Sequence, residues 1–411
     1  MLKLFNSMGR KLEPFTQRHT EKVAIFTCGP SVYQKSHIGN FRTFLFEDVL
    51  LRYLEYLGYT VERGMNFTDV EDKAIAEAKE HKMGLKQLTG KNIKVFLREM
   101  KLLSAKIPDF LPRASESVEE AVDIIEHLVK QRVAYWYRGN VYFDPLAFPG
   151  FGKLFGLDMT QWPKKKIRFH KDTYPGIRWN LGDFILWHGY KQGDAVFWDT
   201  KIGRGRPSWN IQDPSMIVRH FHETLTFFCG GIDNLYRHHD YNLAILESLR
   251  HYPMYRFRPM ACFWLHCRHL YINGQKMSKS KGNIYYIETL QSLGYTPAEI
   301  RFFLIYSHYR QTLNYSEDLM RSTSEKLRLF NRTVKALQKK MHRDQRTDSP
   351  ASRAIKKHFR THMDNDLDVR QAFDQICNTV MSMDPSHTGA GDAAAIIAAL
   401  QEIDQVLNVI F

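Results

Sequence analysis

The sequence predicts an α/β protein with a Rossmann-type parallel sheet, an inserted connective region and a C-terminal α-helical bundle. Three observations support this fold class. A short apolar, β-branched run at residues 22–26 stops in a turn at residues 27–30, as a buried parallel strand does. Apolar residues at helical spacing follow it between residues 44 and 57. From residue 316 onward the pattern becomes helical and strongly basic.

Residues 1–100 are interpreted as the first half of the sheet domain. The strand at residues 22–26 reads KVAIF, and the helix after it ends at Gly58, a residue suited to helix termination. One face of that helix consists of Phe44, Leu45, Val49, Leu50, Tyr53, Leu54 and Leu57. A strand, a glycine-containing turn and a helix in this order form the phosphate-facing start of a Rossmann unit.

Residues 101–200 are interpreted as a connective region inserted into the sheet domain. Their pattern is looser, with short strands and turns rich in Gly, Pro and Trp. Examples are residues 139–145, 148–153 and 179–187.

The second half of the sheet domain is expected at residues 201–315. Within it, a strand at residues 269–272 runs into a tight turn at Asn273-Gly274. Residues 316–411 are predicted to form the helical bundle, including a helix in the Ala-rich stretch that starts near residue 389. One helix face of the bundle consists of Leu327, Phe330, Val334 and Leu337.

Composition indicates a globular protein of the reducing cytoplasm. Five cysteines lie at positions 28, 229, 262, 267 and 377 without paired spacing, and no signal peptide or long apolar stretch is present. No membrane partner is therefore expected, and the pattern favours no particular oligomeric state.

The net charge of +14 favours polyanionic partners such as ATP and RNA, although a basic solvated surface explains it equally well.

Two short motifs indicate nucleotide chemistry. The first is His37-Ile38-Gly39-Asn40, directly after the first strand, and the second is Lys276-Met277-Ser278-Lys279-Ser280. Attack of a carboxylate on the α-phosphate of ATP requires phosphates held in line and their growing charge neutralised. Both motifs suit that task, so ATP with Mg is the expected cofactor.

The motif residues are assigned by their chemistry. The catalytic candidates are His37, Asn40, Lys276 and Lys279, and Gly39 and Ser278 join them in ATP binding. His37 can donate to phosphate oxygens, Gly39 permits close approach, and the helix beginning near Asn40 directs its positive end inward. Lys276 and Lys279 would clamp the β- and γ-phosphates from a mobile loop. The alternative is a solvated basic loop without this role.

These residues resemble one family, the class I aminoacyl-tRNA synthetases, and within it the cysteinyl enzymes. The second motif matches the family signature written KMSKS, and the first matches the signature written HIGH in its first three residues, with Asn40 in place of the last histidine. The resemblance covers roughly residues 20–320, and the matching blocks are residues 27–33, 37–40, 66–73, 203–216, 276–283 and 307–310. It implies an enzyme that activates an amino acid as an aminoacyl-adenylate.

The resemblance also implies a zinc site for the substrate thiolate, and here the sequence departs from the family. The four ligand positions fall on Cys28, Asp213, His238 and Asn242, where the family pattern has Cys, Cys, His and Glu. Zinc held by Cys28, Asp213 and His238 is one alternative. A metal-free pocket with Asp213 and Asn242 as hydrogen-bonding specificity groups is the second, and a functionless relic is the third.

The remaining pocket residues implied by the resemblance are Gly29, Thr68, Trp209 and Asp233. The first three would line the amino-acid site, and Asp233 would receive the α-ammonium group. A core aromatic role is the alternative for Trp209. The adjacent His239 is interpreted as structural or exposed.

Cysteinyl-tRNA synthetases normally continue into an anticodon-reading domain, which this chain of 411 residues is expected to lack. Its size resembles that of the cysteine ligase of mycothiol biosynthesis. The leading hypothesis is therefore a ligase that adenylates cysteine or a related small amino acid and transfers it to a small amine or another non-tRNA acceptor.

Two alternatives remain. One is a compact cysteine-tRNA ligase that binds the tRNA acceptor stem through the basic residues 326–346 and 164–166. The other is a non-catalytic nucleic-acid-binding or regulatory pseudoenzyme.

Overall fold

The computed structural model describes residues 1–161, 182–249, 252, 254–278, 281–341 and 348–411. Its strands are β1 (Lys3–Asn6), β2 (Lys11–Pro14), β3 (Val23–Thr27), β4 (Val61–Met65), β5 (Ala134–Tyr137), β6 (Asn140–Phe143), β7 (Phe184–Gly189), β8 (Trp198–Thr200), β9 (Gly203–Pro207), β10 (Glu223–Gly231), β11 (Arg256–Cys267), β12 (Leu270–Ile272), β13 (Gln275–Lys276) and β14 (Leu313–Tyr315). Its helices are α1 (Ile38–Tyr56), α2 (Asp72–Glu80), α3 (Leu85–Leu102), α4 (Val118–Lys130), α5 (Trp209–Val218), α6 (Asp240–Glu247), α7 (Ile287–Ser292), α8 (Pro297–Tyr306), α9 (Glu317–Gln338), α10 (Pro350–Met363), α11 (Val369–Met381) and α12 (Ala390–Leu407).

The central sheet has the strand order β11–β10–β3–β4, and every neighbouring pair is parallel. This confirms the predicted α/β fold. The strand expected at residues 22–26 is β3, displaced by one residue. The carboxyl ends of β3, β10 and β11 reach one edge of the sheet, which is where open α/β sheets bind ligands.

Helix α1 follows β3, as the apolar spacing predicts. It begins after the cap residue His37 and ends before Gly58, whose φ of +91° is the left-handed conformation that glycine adopts easily. The buried Arg42 side chain connects this helix to later parts of the chain. It donates to the backbone oxygens of Arg268, Leu304, His308 and Gln311.

A separate antiparallel sheet of five strands, ordered β5–β6–β7–β9–β8, lies in the chain between α4 and α5. Strand β6 falls within the predicted residues 139–145, and β7 begins at Phe184, within residues 179–187. Residues 162–181, including the basic run at 164–166, lie outside the described residues. The division of the chain into domains stays a prediction.

The predicted turn at Asn273-Gly274 joins β12 and β13 as a hairpin. Both residues have positive φ, 48° and 76°, as a type I′ turn requires. After β14, Ser316 caps α9 by accepting a hydrogen bond from the Leu319 amide at 3.2 Å. The helix predicted near residue 389 is α12.

Alternating residues of the central strands enter two hydrophobic cores. Phe227 and Leu265 belong to the core shared with α1 and the C-terminal helices, whereas Phe228 and Trp264 belong to the core shared with the antiparallel sheet. The central sheet is therefore covered on both faces, as parallel sheets are. None of the helices described is long and apolar enough to cross a membrane.

Candidate active site

A cavity of about 310 Å³ opens at the carboxyl edge of the central sheet. Both sequence motifs line it, through His37, Gly39 and Asn40 from the first and Lys276 and Met277 from the second. Further lining residues are Cys28, Gly29, Tyr33, Lys35, Thr43, Lys73, Asp233, Arg268 and His269. The fold thus joins two motifs that are more than 230 positions apart in the sequence.

His37 caps α1 with its own side chain. Its Nδ1 atom accepts hydrogen bonds from the Gly39 and Asn40 amides at 3.1 and 3.3 Å, while Asn40 Oδ1 accepts from the His37 amide at 3.0 Å. Burial lowers the pKa of His37 to about 4, so the ring is neutral at pH 7. With Nδ1 accepting, the proton lies on Nε2, which can donate to an oxygen anion in the cavity.

The second motif packs directly against the first. A Cβ atom on Gly39 would lie 2.6 Å from Met277 Cε, so the methionine side chain packs directly on the glycine. The Ile38 amide also donates to the backbone oxygen of Tyr285 at 2.9 Å. These contacts hold the segment after the second motif against the start of α1.

Lys276 and Ser278 are each held by backbone hydrogen bonding. Lys276 pairs with Tyr271 across the β12–β13 hairpin, and its side chain is exposed at the cavity. The Ser278 amide donates to Asn283 Oδ1 at 2.9 Å. Lys279 lies outside the described residues, so its role stays a prediction from sequence.

A buried cluster centred on Asp213 adjoins the cavity through Cys28. The Asp213 carboxylate accepts on Oδ2 from Cys28 Sγ at 2.9 Å, from His238 Nε2 at 2.7 Å and from Asn242 Nδ2 at 3.3 Å. Its Oδ1 atom accepts from Asn66 Nδ2 at 2.9 Å. Burial and the adjacent Asp213 charge raise the pKa of Cys28 well above its usual value, which keeps the thiol protonated.

The fold thus brings together all four positions that the family resemblance assigned to metal binding. The ligand atoms of Cys28, Asp213 and His238 lie within 4.8 Å of one another. Thiolate, carboxylate and imidazole are all zinc ligands, so this triad is compatible with zinc. The amide of Asn242 is a weaker, neutral donor.

The other predicted pocket residues surround the cluster and the cavity. The Trp209 ring stacks on His238 with 3.9 Å between ring centroids, and Thr68 is buried. Gly29 and Asp233 line the cavity itself. Trp209 is half-buried.

Replacing Gly29 with alanine is expected to abolish activity and to destabilise the site. An added Cβ would lie 1.9 Å from the backbone oxygen of Asn66, so the backbone that orients Asn66 toward Asp213 must move. We expect the melting temperature, measured by calorimetry, to be several degrees lower than that of the unchanged protein. We also expect that Mg–ATP no longer raises it. Gly84→Ala is the matched control, because its Cβ would meet no atom within 4 Å. Equal effects of the two substitutions would contradict the steric argument.

A chain of hydrogen bonds that runs from Cys28 to Ser7 was not predicted from the sequence. His239 Nε2 lies 3.4 Å from Cys28 Sγ, His239 Nδ1 lies 2.8 Å from His266 Nε2, and His266 Nδ1 lies 2.7 Å from Ser7 Oγ. His239 is buried rather than exposed. Burial lowers the pKa of His266 to about 3 and that of His239 well below its usual value. No motif marks His266, which is the penultimate residue of strand β11 and follows the apolar residues Phe263, Trp264 and Leu265.

The buried His266 makes the stability of the protein fall on acidification. Its pKa of about 3 in the folded chain is below the ordinary value of 6.5, so the unfolded chain binds the proton first. The stabilisation is therefore complete above pH 6.5 and is lost as pH falls toward 3, by about 2 kcal/mol between pH 7 and pH 5. We expect His266→Gln to reduce the difference in unfolding free energy between those pH values by this amount, measured by urea denaturation. If His266→Gln leaves the difference in unfolding free energy between pH 7 and pH 5 unchanged, His266 already carries a proton in the folded protein at pH 5.

Residues 14–325 match the family described as the tRNA synthetases class I (C) catalytic domain. The chain belongs to this family. A cysteine–tRNA ligase of Chlamydia pneumoniae is 34% identical over 100% of this chain and 86% of its own length. A cysteine–tRNA ligase of Leptospira interrogans is 33% identical over 100% of this chain and 87% of its own length.

Solved class I synthetase structures share the fold. The methionyl-tRNA synthetase of Mycobacterium tuberculosis in complex with methionyl-adenylate has a TM-score of 0.64 at 14% identity, covering 95% of this chain and 90% of that chain. The agnB2 LeuRS of Agrobacterium radiobacter K84 in a ternary complex has a TM-score of 0.67 at 10% identity, covering 95% and 84%. The chain is therefore an ATP-dependent ligase of the class I synthetase family, most similar to its cysteinyl members.

Proposed function

We propose that this ligase condenses a small α-amino acid with ATP to form an aminoacyl-adenylate. The carboxylate oxygen of the amino acid bonds to the α-phosphorus, the bond from that phosphorus to the bridging oxygen breaks, and pyrophosphate leaves with the electron pair. The observation that best supports this reaction is the convergence of His37 and Lys276 on one cavity.

In this proposal the two motifs act on the phosphates of Mg–ATP. Neutral His37 donates from Nε2 to a phosphate oxygen, while Asn40 holds the cap that orients the ring. Gly39 leaves room for Met277 to pack on the start of α1. Lys276, Ser278 and Lys279 balance the charge that develops on pyrophosphate, which stabilises the transition state more than the bound substrate.

The amino acid would bind beside the phosphates. Asp233 at the cavity wall receives the α-ammonium group, and Gly29, Thr68 and Trp209 enclose the α-carbon and side chain. The cluster of Cys28, Asp213, His238 and Asn242 then recognises the side chain. Cysteine or a related small amino acid is the proposed substrate.

We favour a metal-free form of this cluster. If zinc is bound, Cys28, Asp213 and His238 would hold it, and it would supply a Lewis acid that binds sulfur. In the described residues, however, Asp213 Oδ2 lies where the Cys28, His238 and Asn242 donors converge, and Asn66 donates to Oδ1, so side chains alone satisfy the carboxylate. The buried His238 Nδ1 and Asn242 Oδ1 atoms have no hydrogen-bond partner among those residues. A polar substrate group would satisfy them, since buried polar groups without partners are costly.

ATP–pyrophosphate exchange with a panel of small amino acids tests both proposals. We expect exchange with at least one of them, undiminished by a zinc chelator. Exchange with none would overturn adenylation and favour a non-catalytic nucleic-acid-binding protein. Stoichiometric zinc in the purified protein, with exchange lost on chelation, would overturn the metal-free pocket. The double variant Asp213→Cys/Asn242→Glu, which restores the family pattern, should acquire zinc and serves as the positive control.

Two acyl acceptors are compatible with the site. A small amine, the acceptor predicted from the sequence, is the first candidate. Transfer RNA is the second, supported by the relatives that are cysteine–tRNA ligases and by the net charge of +14. Once the amino acid is known, acylation of bulk tRNA is compared with acylation of amino sugars and other small amines. Exclusive acylation of tRNA would remove the first candidate.

A further inference from the structure

Lys35 lies in the turn between β3 and α1, two residues before His37, and its side chain lines the ATP cavity. Its Nζ atom lies 3.0 Å from Glu99 Oε1 on α3 and 2.6 Å from Glu288 Oε2 on α7. The same atom lies 5.3 Å from the centroid of the Tyr286 ring. One lysine therefore joins the first motif, α3 and the start of α7.

The contact with α7 matters because α7 follows the second motif closely along the chain. Glu288 lies in the first turn of α7, and only residues 279–286 separate that helix from Ser278. Asn283 connects this short segment back to the motif, since its side chain accepts from the Ser278 amide and donates to the Lys276 oxygen at 3.3 Å. The start of α7 is thus connected to Lys276 through Asn283 and the three residues that follow it.

Lys35 is fixed more firmly on the side of α3 than on the side of α7. Glu99 has 5% of its side chain exposed, whereas Glu288 has 66% exposed. The buried Glu99 carboxylate requires a cationic partner, because an unpaired buried charge is costly. Glu99 therefore holds Lys35 in place, and Lys35 in turn presents its charge to Glu288.

We propose that Lys35 is a positioning residue for adenylation: it anchors α7 to the first motif and so fixes Lys276 over the ATP phosphates. This inference rests on the proposed function. Lys35 does not contact phosphate in this role, and its effect passes through Glu288. The second motif and the segment after it are then set against the first motif and the turn before it by three contacts, namely Met277 on Gly39, Tyr285 on Ile38 and Glu288 on Lys35.

Pyrophosphate-exchange kinetics of single and double variants test the proposal. Glu288→Gln leaves the Lys35–Glu99 pair intact and is expected to lower kcat about fivefold and to raise KM for ATP, as loss of one partly exposed ion pair allows. KM for the amino acid and the melting temperature should stay unchanged. Lys35→Met should lower kcat to the same extent and should also lower the melting temperature, because buried Glu99 loses its cation. Lys35→Arg should restore most of the rate, and Lys35→Met/Glu288→Gln should be no slower than Lys35→Met alone.

The control is Glu402→Gln, which breaks the 2.6 Å ion pair with Lys356 on the helical bundle and should leave all constants unchanged. A wild-type rate for Glu288→Gln would overturn the proposal, and so would additive effects of the two substitutions, which would indicate direct phosphate contact by Lys35. Absence of exchange in the wild-type protein would instead overturn the proposed function.

Discussion

Replacing His37 with asparagine is expected to slow pyrophosphate exchange by about 100- to 1,000-fold while the fold stays intact. The His37 ring has two separate tasks, since Nδ1 caps α1 and Nε2 is the donor available to phosphate. Asparagine is among the best N-cap residues, so it preserves the first task. Its shorter side chain cannot also reach the cavity, so the second task is lost. Exchange rates at saturating ATP and amino acid measure the effect.

His37→Ala is the companion variant, because alanine removes both tasks. It should match the catalytic loss of His37→Asn and should also lower the free energy of unfolding by about 1 kcal/mol through loss of the cap. The comparison separates a structural effect from a catalytic one. Wild-type exchange by His37→Asn would limit His37 to capping.

The elements that sequence reasoning located are those whose signals are local. The strand near residue 23 follows from a run of apolar residues, and α9 follows from apolar spacing behind the capping residue Ser316. The start of α1 was placed near Asn40 but lies at Ile38, because histidine is an unusual cap and Asn40 is the third helical residue. Helix ends depend on such side-chain contacts, which residue spacing does not reveal.

Several features of the site could not be predicted because they depend on contacts between distant segments. His266 has no recognisable motif, yet it meets Ser7, which is 259 residues away. The pair of Lys35 and Glu288 likewise requires the fold that brings α7 to the first motif. For Asp213, family resemblance gave the position but not the arrangement, in which the carboxylate accepts from four side chains.

Replacing Asp213 with alanine is expected to lower the free energy of unfolding by about 3 kcal/mol or more and to raise KM for the amino acid at least tenfold. The substitution leaves the buried donors of Cys28, Asn66, His238 and Asn242 without their shared acceptor. It also allows the His238 ring, on which Trp209 stacks, to turn. Urea denaturation and exchange kinetics give the two quantities.

A second buried carboxylate distinguishes loss of the pocket from general destabilisation. Asp48 is as buried as Asp213, but it pairs with Arg301 and Arg52 on the bundle side of α1. Asp48→Ala should therefore destabilise the chain to a similar degree while KM for the amino acid stays unchanged. If Asp213→Ala also leaves KM for the amino acid unchanged, the cluster only stabilises the fold, and amino-acid specificity must come from Gly29, Asp233 and the other residues that line the cavity. If Asp213→Ala raises KM for the amino acid and Asp48→Ala does not, the four hydrogen bonds that stabilise the cluster also shape the pocket that recognises the substrate.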